Sequence, residues 1–183
     1  GVIGGESTSK LLRKALHNDS IRGVLLKIDS PGGSAFASEQ ILQQIIALQA
    51  ADKPVVVLMG SVAASGGYWI AMSANKIFAS SATITGSIGV FAMFPTLQNS
   101  LAELGIYTDG SGTNQWSGSF RPDKEMAPQV KQLVQSQVDY GYSEFVRKVS
   151  MHRNISEEKI RTIAEGQIWT GEEALSNGLI DAL

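Results

Sequence analysis

The chain has 183 residues, 43% of them hydrophobic and 17% charged, with a formal net charge of -2 and no cysteine. That size and balance suit one globular domain over residues 1–183 with a core of its own, and the near-neutral charge gives no electrostatic footprint for nucleic acid. The missing cysteines exclude disulfides, thiol catalysis and cysteine-held zinc, while no apolar run nears the roughly 18 residues that span a bilayer and no secretory signal opens the chain.

The elements alternate. Leu11, Leu12, Ala15 and Leu16 recur at helical spacing within 7–16, with Ser7 or Thr8 expected as the cap. Asn18-Asp19-Ser20 turns the chain into Val24–Ile28, an apolar run expected as a buried strand. Ser30-Pro31-Gly32-Gly33 ends it, and 34–51 returns to the helical period through Ile41, Leu42, Ile45, Ile46 and Leu48. Pro54 leads into a strand over Val55–Met59, and a helix is expected over 65–73. Strands at 76–79 and 88–91, a helix at 96–104 and a short strand at 106–108 follow. Residues 109–121, rich in Gly, Ser, Thr and Asn, form the expected flexible loop. A long amphipathic helix covers 128–149, Ser156 caps a shorter one, and Thr170 with Glu173 fits a capping box before the last. The class is α/β with mainly parallel strands.

Two glycine clusters follow strands, where open α/β sheets bind ligands. Gly32-Gly33 follows Val24–Ile28, and Ser65-Gly66-Gly67 follows Val55–Met59. Backbone amides at a glycine turn or a helix start suit a developing oxyanion, and a serine there presents its hydroxyl. Taken singly, the first cluster is equally a tight turn and Ser65 equally a helix cap.

Asp29-Ser30-Pro31-Gly32-Gly33-Ser34, then Met59 to Trp69 (MGSVAASGGYW), then Thr85 to Val90 (TGSIGV) and, near the end, Trp169 to Ala174 (WTGEEA) with Asn177 to Asp181 (NGLID) resemble the signal peptide peptidase A, or protease IV, family, in order along the chain. The resemblance implies a superhelix of repeated β-β-α units of the crotonase and Clp-protease type and a serine peptidase working through a serine–lysine dyad. It makes Ser65 the nucleophile, Gly32, Gly33 and Gly66 the oxyanion-hole amides, and Ser87 the residue that orients the lysine base. It implies apolar peptide substrates, namely cleaved signal peptides, no cofactor or metal, and a homo-oligomer. It also implies a place at the periplasmic side of a bacterial inner membrane, reached only through segments outside this chain. Val62, Ala63, Tyr68, Trp69, Ile88, Val90, Phe91, Met93 and Phe94 crowd the motifs, as core residues or as an apolar groove.

A serine hydroxyl needs an adjacent base, and a lysine serves only when its pKa is lowered. His17 and His152, both expected at the surface, lie near no motif. The loop where single-domain family members carry the lysine has none here, and Gln115 stands near the expected position. Lys27, Lys76, Lys124 and Lys131 match no motif. In the long tandem members the serine sits in the C-terminal half and the lysine in the N-terminal half, so the resemblance makes this chain the C-terminal half of such a protein. The chain opens on Gly-Val-Ile-Gly-Gly without an initiator methionine, which fits the same expectation. A phage capsid-maturation protease, a crotonase-like acyl-CoA enzyme and a non-catalytic oligomerisation module are the competing readings.

Overall fold

The computed structural model describes residues 4–114 and 116–183. They group into two compact units, one running up to Gly89 and including Ser143–Leu183, the other Val90–Tyr142.

In the first unit, helix α1 (Gly5–Leu16) leads to strand β1 (Val24–Ser30), helix α2 (Ala35–Ala50), strand β2 (Val55–Ala64) and helix α3 (Gly66–Ala71). Strands β3 (Lys76–Phe78) and β4 (Ile84–Gly86) follow. The sheet order is β1-β2-β4-β5, where β5 is Ile168–Thr170 and β3 also pairs with β2. Strands β1, β3 and β4 all lie parallel to β2, and β5 is antiparallel to β4. The expected α/β class with a mainly parallel sheet is what the chain adopts.

β2 is twice the expected length because it serves two partners. Val56–Leu58 pairs with β3, and Val62–Ala64 pairs with β4. Its side chains alternate: Val55, Val57 and Met59 are buried, while Leu58 is 41% exposed. β1 alternates too, with Leu25 69% exposed, so it is not the doubly buried strand its apolar run suggested. The covered face packs against Ile41, Leu42, Ile45 and Leu48 of α2 and Tyr68, Ile70 and Met72 around α3.

Several features differ from expectation. No side chain caps α1; its N-cap is Gly4, and Ser7 Oγ instead donates to the Gly4 carbonyl. The strand expected at 88–91 falls at Ile84–Gly86, since Gly86 (φ 77) and Ser87 (φ 49) turn the chain before Ile88, which is buried as loop. β5 is too short for its pattern to stand out, and only its pairing with β4 defines it.

The second unit holds helix α4 (Gln98–Glu103) and the start of helix α5 (Pro128–Arg153). Residues 106–108 form no strand, with Tyr107 81% exposed. The described part of 109–121 is turns and bends, held at one end by the Arg121–Asp123 ion pair. An apolar cavity of about 360 Å³ within this unit is lined by Phe91, Phe94, Phe120, Leu133, Val134 and Val138, among others. Beyond α5, helices α6 (Glu157–Ile163) and α7 (Gly171–Ser176) complete the first unit. Among the described residues no helix is long and apolar enough to cross a membrane.

Candidate active site

Ser65 joins β2 to α3 with φ 50 and ψ -117, a conformation that side-chain-bearing residues adopt at a cost of about 1–3 kcal/mol. It occupies the N-cap position, yet its hydroxyl makes no capping bond. Ser34, Ser156 and Thr170 behave otherwise: each caps its helix from an extended backbone, with the side-chain oxygen accepting an N–H from the first turn. Ser65 is therefore not an ordinary cap. Its backbone is tied down, the N–H donating to Gly86 O (2.9 Å) and the carbonyl accepting from Trp69 N–H (2.8 Å). Its Oγ has no hydrogen-bond partner among the described residues. Such a strained strand-to-helix turn presents a hydroxyl outward.

The glycine turn after β1 lies against it. A Cβ at Gly32 would lie 2.9 Å from Ser65 Cβ, 3.1 Å from Gly66 N and 3.2 Å from Ser65 Oγ. Only glycine fits there, and φ 122 at Gly32 with φ 149 at Gly33 excludes side chains on backbone grounds as well. The structure thus brings Gly32, Gly33, Ser65 and Gly66 together. It also divides the glycines' roles. Gly32 N–H donates to Ser30 Oγ (3.2 Å), so this amide is engaged, and its glycine acts by allowing close approach. Gly33 N–H has no partner among the described residues, and Gly66, the first residue of α3, has no preceding carbonyl within the helix to bond. Those two amides are the donors open to an oxyanion.

Ser87 follows Gly86 as Ser65 follows Ala64, and Ala64 and Gly86 are partners in the parallel β2/β4 register. The two serines therefore leave neighbouring strand ends side by side, both with positive φ. The backbone at Ser87 is fixed by its N–H to Gln167 O (2.7 Å), while Trp169 Cδ1 would lie 2.7 Å from a Cβ at Gly86. Ser87 Oγ has no partner among the described residues. Two contributors escaped the sequence reading. Thr85, quoted only as part of a motif, donates its Oγ1 to Ala63 O (2.6 Å), and Gln167 sits between motifs; neither role stands out without the pairing of β4.

Three lysines of this unit, Lys53, Lys76 and Lys148, are engaged away from Ser65. Lys53 Nζ donates to the carbonyls of Ala15, Leu16 and Asn18, Lys76 pairs with Asp181, and Lys148 pairs with Glu39 (3.0 Å). Gln115 lies outside the described residues. His17 is exposed, as expected, but His152 is half-buried, because it shares the inward face of α5 with Phe145 and Val149. Its imidazole is held below the ordinary histidine range by burial and then by the Lys148 charge, with Glu39 opposing. Of the apolar residues around the motifs, Ala63, Tyr68, Trp69 and Ile88 are core, whereas Phe91 and Met93 are 87% and 78% exposed.

Comparison with known proteins gives the family. The family described as Peptidase family S49 matches residues 47–183. Protease 4 of Haemophilus influenzae is 44% identical over 182 residues, covering 98% of this chain and 29% of that protein. Protease 4 of Salmonella typhi is 44% identical over 183 residues, covering 100% of this chain and 29% of its own length. The chloroplastic serine protease SPPA of Arabidopsis thaliana is 34% identical over 183 residues, covering 100% and 27%. The chain therefore spans less than a third of the length of these relatives. With a matched family covering most of its residues and the motif serines and glycines gathered at one strand-to-helix turn, the chain belongs to peptidase family S49.

Proposed function

We propose that this chain supplies the nucleophile half of a serine–lysine endopeptidase that degrades apolar peptides of the cleaved signal-peptide kind. The observation that carries the reading is Ser65: a strained residue between β2 and α3 whose hydroxyl is left uncapped against the Gly32-Gly33 turn and next to the Gly66 amide. In the proposed step, Ser65 Oγ attacks the scissile carbonyl carbon while a neutral lysine amine takes the hydroxyl proton. The carbonyl oxygen gathers negative charge toward the Gly33 and Gly66 N–H groups. The ammonium then returns its proton to the leaving amine, and the acyl-serine is hydrolysed by a water that the lysine deprotonates. Ser87, on the neighbouring strand end, orients the lysine. The base comes from the lysine-bearing N-terminal half of a tandem protein, since the lysines of the first unit whose bonds are described point to other partners. The assembled enzyme is a homo-oligomer at the outer face of a bacterial inner membrane, held there by segments outside this chain.

The test uses the whole protein, an apolar peptide ester and a fluorophosphonate that labels activated serines. Ser65→Ala abolishes both turnover and labelling, and Ser87→Ala slows acylation while leaving the unfolding midpoint near that of the wild type. Near wild-type turnover in Ser65→Ala would falsify the assignment.

A further inference from the structure

β1 and β2 run in register from Val24↔Val55 to Ile28↔Met59 and resume at Ser30↔Ala63. Gly60, Ser61 and Val62 therefore stand opposite a single residue of β1, Asp29. A bulge of this kind frees backbone polar groups and bends the strand. Here side chains take up the freed groups. Asp29 Oδ1 accepts the Val62 N–H (3.0 Å), and Thr83 Oγ1 donates to the Gly60 carbonyl (2.8 Å). Gly60 leaves the carboxylate its space, because a Cβ there would lie 2.7 Å from Asp29 Cγ.

Both arms of the site leave from this bulge. On β1, Asp29 is followed by Ser30 and the Gly32-Gly33 turn; on β2, Val62 is followed by Ala63, Ala64 and Ser65. The arms meet again where Gly32 abuts Ser65 and where a Cβ at Gly67 would lie 2.8 Å from Ser30 O. We infer that Asp29 is a positioning residue for the nucleophile. Its side-chain oxygen, acting as an acceptor and not through its charge, locks the bulge and so sets the distance between the Gly33 amide and Ser65 Oγ. The inference rests on Ser65 being the nucleophile. Asp29 touches no reacting atom; it acts through the two backbones it joins.

The experiment measures the fluorophosphonate labelling rate of Ser65 in the whole protein, alongside the urea midpoint of each variant. Asp29→Ala and the similarly sized Asp29→Leu, which lack the acceptor, slow labelling by about tenfold or more, because small misplacements are costly to reactivity. Asp29→Asn keeps an acceptor oxygen and labels within about threefold of wild type across the pH range. If Asp29→Ala loses its fold, Gly60→Ala reads the same dependence by crowding the carboxylate off Val62, and slower labelling is expected again. Wild-type labelling in folded Asp29→Ala, or Asp29→Asn as slow as Asp29→Ala, overturns the inference and leaves the nucleophile reading standing. So does a slowing that tracks only the folded fraction, which would make Asp29 merely structural. A wild-type protein that does not label at Ser65 overturns both.

Discussion

Ser65 holds its backbone in a conformation that glycine adopts without penalty. Replacing it should therefore separate strain from chemistry. Ser65→Gly and Ser65→Ala both lose the nucleophile, but the glycine variant should unfold at higher urea, by about 1 kcal/mol relative to alanine. Equal midpoints would mean that the turn is not strained. Gly32 makes the opposite case. Gly32→Ala puts a methyl within 2.9 Å of Ser65 Cβ, at a φ that disfavours any side chain. It should abolish Ser65 labelling and lower stability by about 1–3 kcal/mol, read by labelling and urea unfolding together. These residues were legible as motifs. What the sequence withheld was the division of labour, because the engagement of Gly32 N–H by Ser30 becomes visible only once the turn has a shape.

At the scale of elements, α3 is held from behind. Trp69 Nε1 donates to Glu39 of α2 (2.7 Å), Lys148 of α5 pairs with the same carboxylate, and Lys148 lies 5.8 Å from the Trp69 ring centroid. Burial alone would raise the Glu39 carboxyl, but the bonds from Gln43, Lys148 and Trp69 outweigh it and hold the group below its ordinary range. His152, also facing Lys148 and Glu39, is held low by burial. The unfolded chain then protonates first, so the stability from neutral His152 is complete above about pH 6.5 and is lost as pH falls toward the folded value. Glu39 adds a second loss at lower pH. The wild-type urea midpoint should drop between about pH 7.5 and 5.5, and His152→Leu should drop less; parallel curves would remove His152 from the account. The helices themselves were readable where a polar residue caps the first turn, as at Ser156 and Thr170. Thr170→Ala breaks a complete capping box and should cost about 1 kcal/mol in thermal or urea unfolding. β4 and β5 were not readable, since each takes its identity from pairing with remote strands and not from a period of its own.

For the whole molecule, the proposed division of the site makes a prediction of its own. The chain by itself should unfold cooperatively yet label at Ser65 orders of magnitude more slowly than the whole protein, because an oxyanion hole without a base retains only residual reactivity. Mixing in the lysine-bearing half should restore labelling. Rapid labelling of the chain alone would show that one of its own lysines reaches Ser65. One pairing described above also sets an order of events during synthesis. Ser87 is pinned by Gln167, and β4 finds its antiparallel partner only in β5. A ribosome-bound chain that has not yet released residues 167–170 has its serine but not the strand that squares Ser87 against it. On the proposed reading the centre is completed only after α2, α3 and α5 have been made, which would keep a nascent copy inert until β5 emerges. Chains ended just after Ala164 should fail to label at Ser65 even in the presence of the partner half, and labelling at the full rate would break that sequence of assembly.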